Sequence, residues 1–119
     1  MKISYGITVH NESDELNKLL EVLVLNIDEK DEIVICDDFS NKETREVIDH
    51  WELHSPDNME IKHYTRKLDG NFADQKNSVI KNSTGDYIFH IDADEYPHET
   101  LLKQLKQILE MNSVDLIWI

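Results

Sequence analysis

Three glycines, two prolines and one cysteine are spread over 119 residues. So few chain breakers leave no Gly/Ser linker and no low-complexity tract, and no segment repeats. The single cysteine, Cys36, excludes an internal disulfide. It closes the apolar run Ile33-Val34-Ile35-Cys36 and reads as a small core residue. No apolar stretch approaches the roughly 20 residues of a bilayer span. Met1-Lys2-Ile3-Ser4-Tyr5 runs straight into a strand, without the charged-then-apolar layout of a secretory leader. A soluble chain in a reducing, cytoplasmic compartment is expected. Basic residues are also scarce, 12 Lys+Arg against 25 Asp+Glu, for a net charge of −13. Phosphate backbones need clustered Lys and Arg, so nucleic acid is excluded as a partner. Neither Gly-x-x-x-x-Gly-Lys nor Gly-x-Gly-x-x-Gly occurs, and no Ser/His/Asp or Cys/His nucleophile arrangement stands out.

What is present is one domain's worth of chain, residues 1–119, with 39% apolar residues, enough for one core. Short β-rich runs alternate with longer helical stretches. Strands are expected at Ile3–Val9, Glu32–Cys36, Met59–Thr65, Tyr87–Ile91 and Val114–Ile119. Helices are expected from Ser13 or Asp14, as N-cap, to about Leu25, then over Asn41–His54, Phe72–Asn82 and Pro97–Met111. Leu16, Leu19, Leu20 and Leu23 mark the inner face of the first helix. Val47, Ile48 and Trp51 mark the second; Ala73, Val79 and Ile80 the third; Leu101, Leu102, Leu105, Ile108 and Leu109 the fourth. Gly85 reads as the stop of the third helix. This alternation predicts an α/β fold: a doubly wound, mostly parallel sheet with helices on both faces. Such sheets bind ligands beyond the carboxyl ends of their strands.

Polar clusters fall at those ends. Asp92-Ala93-Asp94-Glu95 follows the fourth strand. Three carboxylates in four residues repel one another unless a cation or strong donors offset the charge. Mg²⁺ and Mn²⁺ prefer carboxylate oxygen and complete their shells with water and phosphate oxygens. Spacing alone leaves a metal–diphosphate site and a chance acidic triplet both open. Asp37-Asp38 ends the second strand, as a helix cap or as an acceptor for a base N–H, with Ser40 an equal candidate cap. Lys76, Arg66 and Lys67 are a small basic group that would neutralise a diphosphate. His10 follows the first strand, where it would stack on a base. His90, inside the fourth strand, reads as a core histidine.

Several of these runs resemble family 2 glycosyltransferases of the GT-A fold. The first is Ile3-Ser4-Tyr5-Gly6-Ile7-Thr8-Val9-His10-Asn11-Glu12, like that family's opening strand. Glu32-Ile33-Val34-Ile35-Cys36-Asp37-Asp38-Phe39-Ser40 is similar to its second strand with an Asp-Asp-x-Ser ending. Asn71-Phe72-Ala73-Asp74-Gln75-Lys76-Asn77 resembles the segment that usually reads Ala-Arg-Asn. Ser83-Thr84-Gly85-Asp86-Tyr87-Ile88-Phe89, leading into Asp92-Ala93-Asp94-Glu95, is similar to the DxD strand. The four motifs stand in the family's order over nearly the whole chain.

The resemblance implies a nucleotide-sugar site built from Thr8, His10, Asn11, Glu12, Asp37, Asp38, Arg66, Lys76, Asp92, Ala93 and Asp94. Thr8 and His10 would line the nucleobase pocket and Asp38 would accept the uracil imide N–H. Lys76 stands where the family places Arg. Asp92 and Asp94 would hold Mn²⁺ or Mg²⁺. It implies a UDP-sugar donor, UDP-glucose by default, and an unknown acceptor. Family members are commonly longer, and the part beyond this chain normally supplies the acceptor site and the catalytic base. The leading expectation is an inverting, metal-dependent glycosyltransferase. The second is a nucleotide-sugar-binding module with little or no transfer, at most slow donor hydrolysis. A third, a phospho-acceptor signalling domain, shares length and clustered Asp but normally carries its acidic pair after the first strand. The apolar end Leu116-Ile117-Trp118-Ile119 predicts a homodimer.

Overall fold

A computed structural model describes residues 1–56, 58–112 and 116–118, with side chains as far as residue 110. The elements run β1 (Ile3–Val9), α1 (Ser13–Asn26), β2 (Glu32–Asp37), α2 (Lys42–Leu53), β3 (Glu60–Thr65), α3 (Phe72–Lys81), β4 (Tyr87–Asp92), α4 (Glu99–Asn112) and β5 (Leu116–Trp118). The strands form one sheet in the order β3-β2-β1-β4-β5, and each adjacent pair is parallel. The expected α/β architecture is therefore present. The chain winds outward from β1 through β2 to β3, then returns to the other side of β1 with β4. That reversal puts the topological switch point between β1 and β4. A signalling domain of the third kind has order 2-1-3-4-5, so that reading is set aside.

Strand pleating sorts the side chains between two layers. Ile3, Tyr5 and Ile7 of β1, Ile33 and Ile35 of β2, and Phe89 and Ile91 of β4 belong to one apolar core. Leu16, Leu19, Leu20 and Leu23 of α1 join it with no exposure, and Ile48 of α2 and Leu102, Leu105 and Leu109 of α4 join it as buried residues. The alternate residues, Ser4, Gly6 and Thr8 of β1 among them, face α3. Gly6 is required there: a Cβ would lie 2.4 Å from Val79 Cγ1.

Several local expectations change. Leu101, expected on the inner face of α4, is 37% exposed, and the cap of α2 is Asn41 rather than Asp37, Asp38 or Ser40. The N-cap of α1 is Glu12, ahead of Ser13 and Asp14, and its side chain makes no cap bond. In α3 the residues buried against the sheet are Gln75 and Val79, while Ala73 and Ile80 face solvent. Four-residue spacing of Gln75 and Val79 sets the helix phase, which overrides the apolar count. Gly85 is not the stop of α3, which ends at Lys81 with Asn82 as C-cap. Gly85 instead lets the chain pass close to β1, where its N–H donates to Ser4 Oγ at 2.8 Å and a Cβ would fall 2.6 Å from that oxygen. The side chains of Leu116 to Ile119, on which the dimer expectation rests, lie outside the described residues.

The amino edge of the sheet is closed by two buried carboxylates. Glu32 has no exposure. It accepts from Ser4 Oγ at 2.5 Å, Thr84 N at 2.6 Å and Thr84 Oγ1 at 3.0 Å, and pairs with Lys62 at 3.1 Å. Asp31 accepts from Ile3 N at 2.9 Å and pairs with Lys106 of α4 at 2.9 Å. These bonds join β1, β2, α4 and the loop before β4 at one edge.

Candidate functional site

The carboxyl edge is built differently. At the β1–β4 switch point the register sets Thr8 beside Asp92. Thr8 Oγ1 donates to Asp92 Oδ1 at 2.7 Å, and Ala93 N donates to Thr8 O at 3.0 Å. Beyond the strand the chain folds back on itself: Glu95 N donates to Asp92 O at 2.9 Å while Asp92 N donates to Glu95 Oε1 at 2.9 Å. This turn leaves Asp92 and Asp94 exposed and buries Ala93.

Beside it, β2 ends in two Asp residues with different surroundings. Asp37 is buried and accepts from Ser40 N at 2.9 Å, so its carboxylate shapes the turn before α2. Asp38 N donates to Val9 O at 3.0 Å, and its Oδ1 accepts from Leu68 N at 3.0 Å. His10 Nδ1–H donates to the Asp38 carbonyl at 2.5 Å, which assigns the tautomer and leaves Nε2 to accept from Asn11 Nδ2 at 3.2 Å. Asn11 Oδ1 accepts from Asn41 N at 2.6 Å, and Asn41 Oδ1 caps α2 by accepting from Thr44 N at 3.0 Å. Asn11 and Phe39 sit at φ of 53° and 44°, the left-handed region in which a non-glycine residue stores strain.

These turns and α3 enclose a cavity of about 330 Å³. Thr8, His10, Glu12, Asp38, Lys76, Asp92 and Asp94 line it, seven of the residues singled out from the sequence. Four others stand elsewhere. Asp37 faces a different hollow, with residues of α2 and β3. Asn11 ties the β1 turn to α2, and Ala93 lies in the core. Arg66 Nη1 donates to Gln75 Oε1 at 2.6 Å, and Gln75 Nε2 donates back to Arg66 O at 2.9 Å. That reciprocal pair holds the guanidinium against α3, away from the cavity lining. Lys67 lines an adjoining hollow with Phe39, His10 and Asp38.

Sequence reasoning missed Val9, Leu68, Phe72, Gln75 and His90 in the lining. His90 had a readable signal: it lies between Phe89 and Ile91, so pleating points it away from the apolar core. Nothing marked Leu68 or Phe72, because loop and helix residues far apart in the chain meet there only on folding.

The electrostatics are one-sided. Burial raises the Glu12 carboxyl above its ordinary value, and the nearby charges of Asp94, Glu15 and Asp92 push it further, against a bond from His10 N. Burial lowers the His90 imidazole, and Lys76 adds to this while Asp92 opposes it. The cavity thus offers exposed carboxylates around a histidine disposed to stay neutral. Carboxylate donors repelling one another match the needs of a hard divalent cation, so Asp92 and Asp94 fit Mn²⁺ or Mg²⁺.

Residues 4–119 match the family profile described as Glycosyl transferase family 2. Over 118 residues the chain is 34% identical to the SPbeta prophage-derived glycosyltransferase SunS of Bacillus subtilis, covering 97% of this chain and 26% of that protein. It is 31% identical over 110 residues to Protein CgeD of the same organism, covering 89% of this chain and 26% of that protein. The chain therefore spans about a quarter of the length of the curated relatives it matches. Among solved structures, S. aureus TarS 1-349 in complex with UDP-GlcNAc superposes with a TM-score of 0.80 at 20% identity, covering 95% of this chain and 32% of that one. The mannosyltransferase PcManGT from Pyrobaculum calidifontis, in complex with GDP-Man and Mn²⁺, superposes with a TM-score of 0.77 at 20% identity, covering 94% and 33%.

Proposed function

The chain belongs to glycosyl transferase family 2, and from that premise we propose that its cavity binds a nucleoside diphosphate sugar with a divalent metal, as the donor site of a glycosyltransferase. One observation carries the reading: Asp38 after β2, Asp92 and Asp94 after β4, and Lys76 on α3 line a single cavity at the switch point. Asp38 Oδ1 already accepts the Leu68 N–H, which orients the carboxylate for a base N–H at its other oxygen. That acceptor suits an imide N–H, which uracil and guanine both carry; the family resemblance makes UDP the proposed nucleotide and UDP-glucose the first donor to test. Likeness to the proteins in complex with UDP-GlcNAc and with GDP-Man and Mn²⁺ supports the ligand class. Lys76 offsets diphosphate charge. Thr8 holds the Asp92 carboxylate in place. Bound Mn²⁺ or Mg²⁺ would stabilise the charge developing on the leaving diphosphate. We assign none of these carboxylates as general base, and the acceptor is left unspecified. A homodimer remains part of the proposal, on the apolar sequence Leu116-Ile117-Trp118-Ile119.

Calorimetry with UDP, UDP-glucose and GDP, each with Mn²⁺ and with EDTA, tests the reading. The expected result is metal-dependent UDP binding that exceeds GDP binding. Asp38→Ala weakens uridine and spares metal binding. Equal UDP affinity with Mn²⁺ and with EDTA overturns the metal role. Sedimentation at micromolar concentration tests the dimer against the 14.0 kDa monomer mass.

A further inference from the structure

A second group of metal-ligating side chains lies away from the donor cavity, on the opposite flank of β2. Asp49 and Glu52 are three residues apart on α2, which places them on one helix face. His63 projects from β3, the edge strand next to β2. One ligand atom from each of the three lies within 4.8 Å of the others. His63 Nδ1 and Glu52 Oε1 are already in hydrogen-bond contact. The hollow beside them, about 360 Å³, is lined by Asp49, His63 and Asp37 and shares no residue with the donor cavity. Lys42 and Arg45 also line this hollow, and Lys42 pairs with Glu46 at 3.7 Å.

We propose that Asp49, Glu52 and His63 form a second metal site, for a borderline ion of the Zn²⁺ class, which clips α2 to β3. The donor set selects the ion. One imidazole nitrogen with two carboxylate oxygens suits Zn²⁺, whereas the all-oxygen pair Asp92 and Asp94 suits Mn²⁺ or Mg²⁺. Bonds of about 2.0–2.2 Å put tetrahedral Zn²⁺ ligand atoms about 3.3–3.6 Å apart. Rotamer changes in half-exposed side chains cover the difference from the present spacing. The hydrogen between His63 and Glu52 leaves to solvent as the ion takes its place, and water fills the fourth position. The ion would add a cross-link at β3, the outer strand on that side among the described residues. A site of this kind acts on stability and leaves donor chemistry to the switch-point cavity.

The test is Zn²⁺ titration of the 119-residue chain at neutral pH against a chromophoric chelator, with Co²⁺ absorption reporting geometry. The expected result is one equivalent of Zn²⁺ whose affinity falls at least about tenfold in His63→Gln and in Asp49→Asn. Both variants keep Mn²⁺-dependent UDP binding, and Asp94→Asn keeps the Zn²⁺ site. Zn²⁺ also raises the melting temperature of the unaltered chain and not that of His63→Gln. Should His63→Gln fail to fold, Asp49→Asn at its exposed position decides. No bound Zn²⁺, or equal affinity in the unaltered chain and both variants, overturns the proposal.

Discussion

Carboxylates stand at both edges of this sheet, and the supply of donors separates them. At the amino edge Glu32 and Asp31 are buried, yet Glu32 meets hydroxyl, backbone N–H and ammonium donors, and Asp31 meets backbone N–H and ammonium donors. Burial would raise the Glu32 carboxyl, but the bonds from Ser4, Thr84 and Lys62 outweigh it and hold it down to about 2. At the carboxyl edge Asp92 and Asp94 are open to the cavity, and Glu12 beside them is raised by burial and by their charges. Carboxylates are thus buried and multiply bonded at the amino edge, whereas Asp92 and Asp38 each accept one such side-chain bond, from Thr8 Oγ1 and Leu68 N, and line an open cavity.

The largest effect expected from this contrast is at Glu32. Glu32→Ala strands a buried hydroxyl, an amide and a lysine, and costs about 3 kcal/mol of stability in urea unfolding. The pH dependence has a definite sign. A carboxyl whose folded value is depressed stabilises fully above its unfolded value of about 4.5, and that stability is lost as pH falls toward about 2. Glu32→Gln flattens this acid limb. An unchanged acid limb would show that the amino edge is held by something else.

Asp94→Ala comes next and acts on the other property. Metal-dependent UDP affinity falls by roughly a hundredfold, while metal-free thermal stability holds or rises because a repelling charge is gone. A matching loss of stability would erase the distinction between the edges. Lys76→Ala sharpens it on the ligand side. The loss is about 1.5 kcal/mol greater for UDP than for uridine, as for a charge-assisted bond, and equal losses would place Lys76 away from the diphosphate. The smallest effect is at Glu12. A carboxyl raised in the fold penalises stability once it ionises, so Glu12→Gln stabilises at pH 7 by less than about 0.5 kcal/mol and does nothing at pH 4. A gain of the same size at both pH values would show that charge is not the cause.

The sequence by itself determined the element order, the inner face of α1 and the two acidic strand ends. Each is written locally, in the spacing of leucines, in apolar runs and in polar residues where those runs stop. It also carried the family resemblance, because four motifs hold their order along the chain. What only the tertiary structure decided is which of those polar residues share a cavity. Asp37 and Asp38 are adjacent in sequence, yet pleating and the turn before α2 send one carboxylate to Ser40 and the other to the cavity. Arg66 and Lys76 looked alike as cations, and the bond to Gln75 took Arg66 out of the lining. The phase of α3 followed Gln75 and Val79, since packing against Gly6 rewards a close fit over the number of apolar residues. Periodicity reads which way a side chain points from its own backbone; which donor meets it there depends on segments 30 to 84 residues away, as in Asp38 with Leu68 and Thr8 with Asp92.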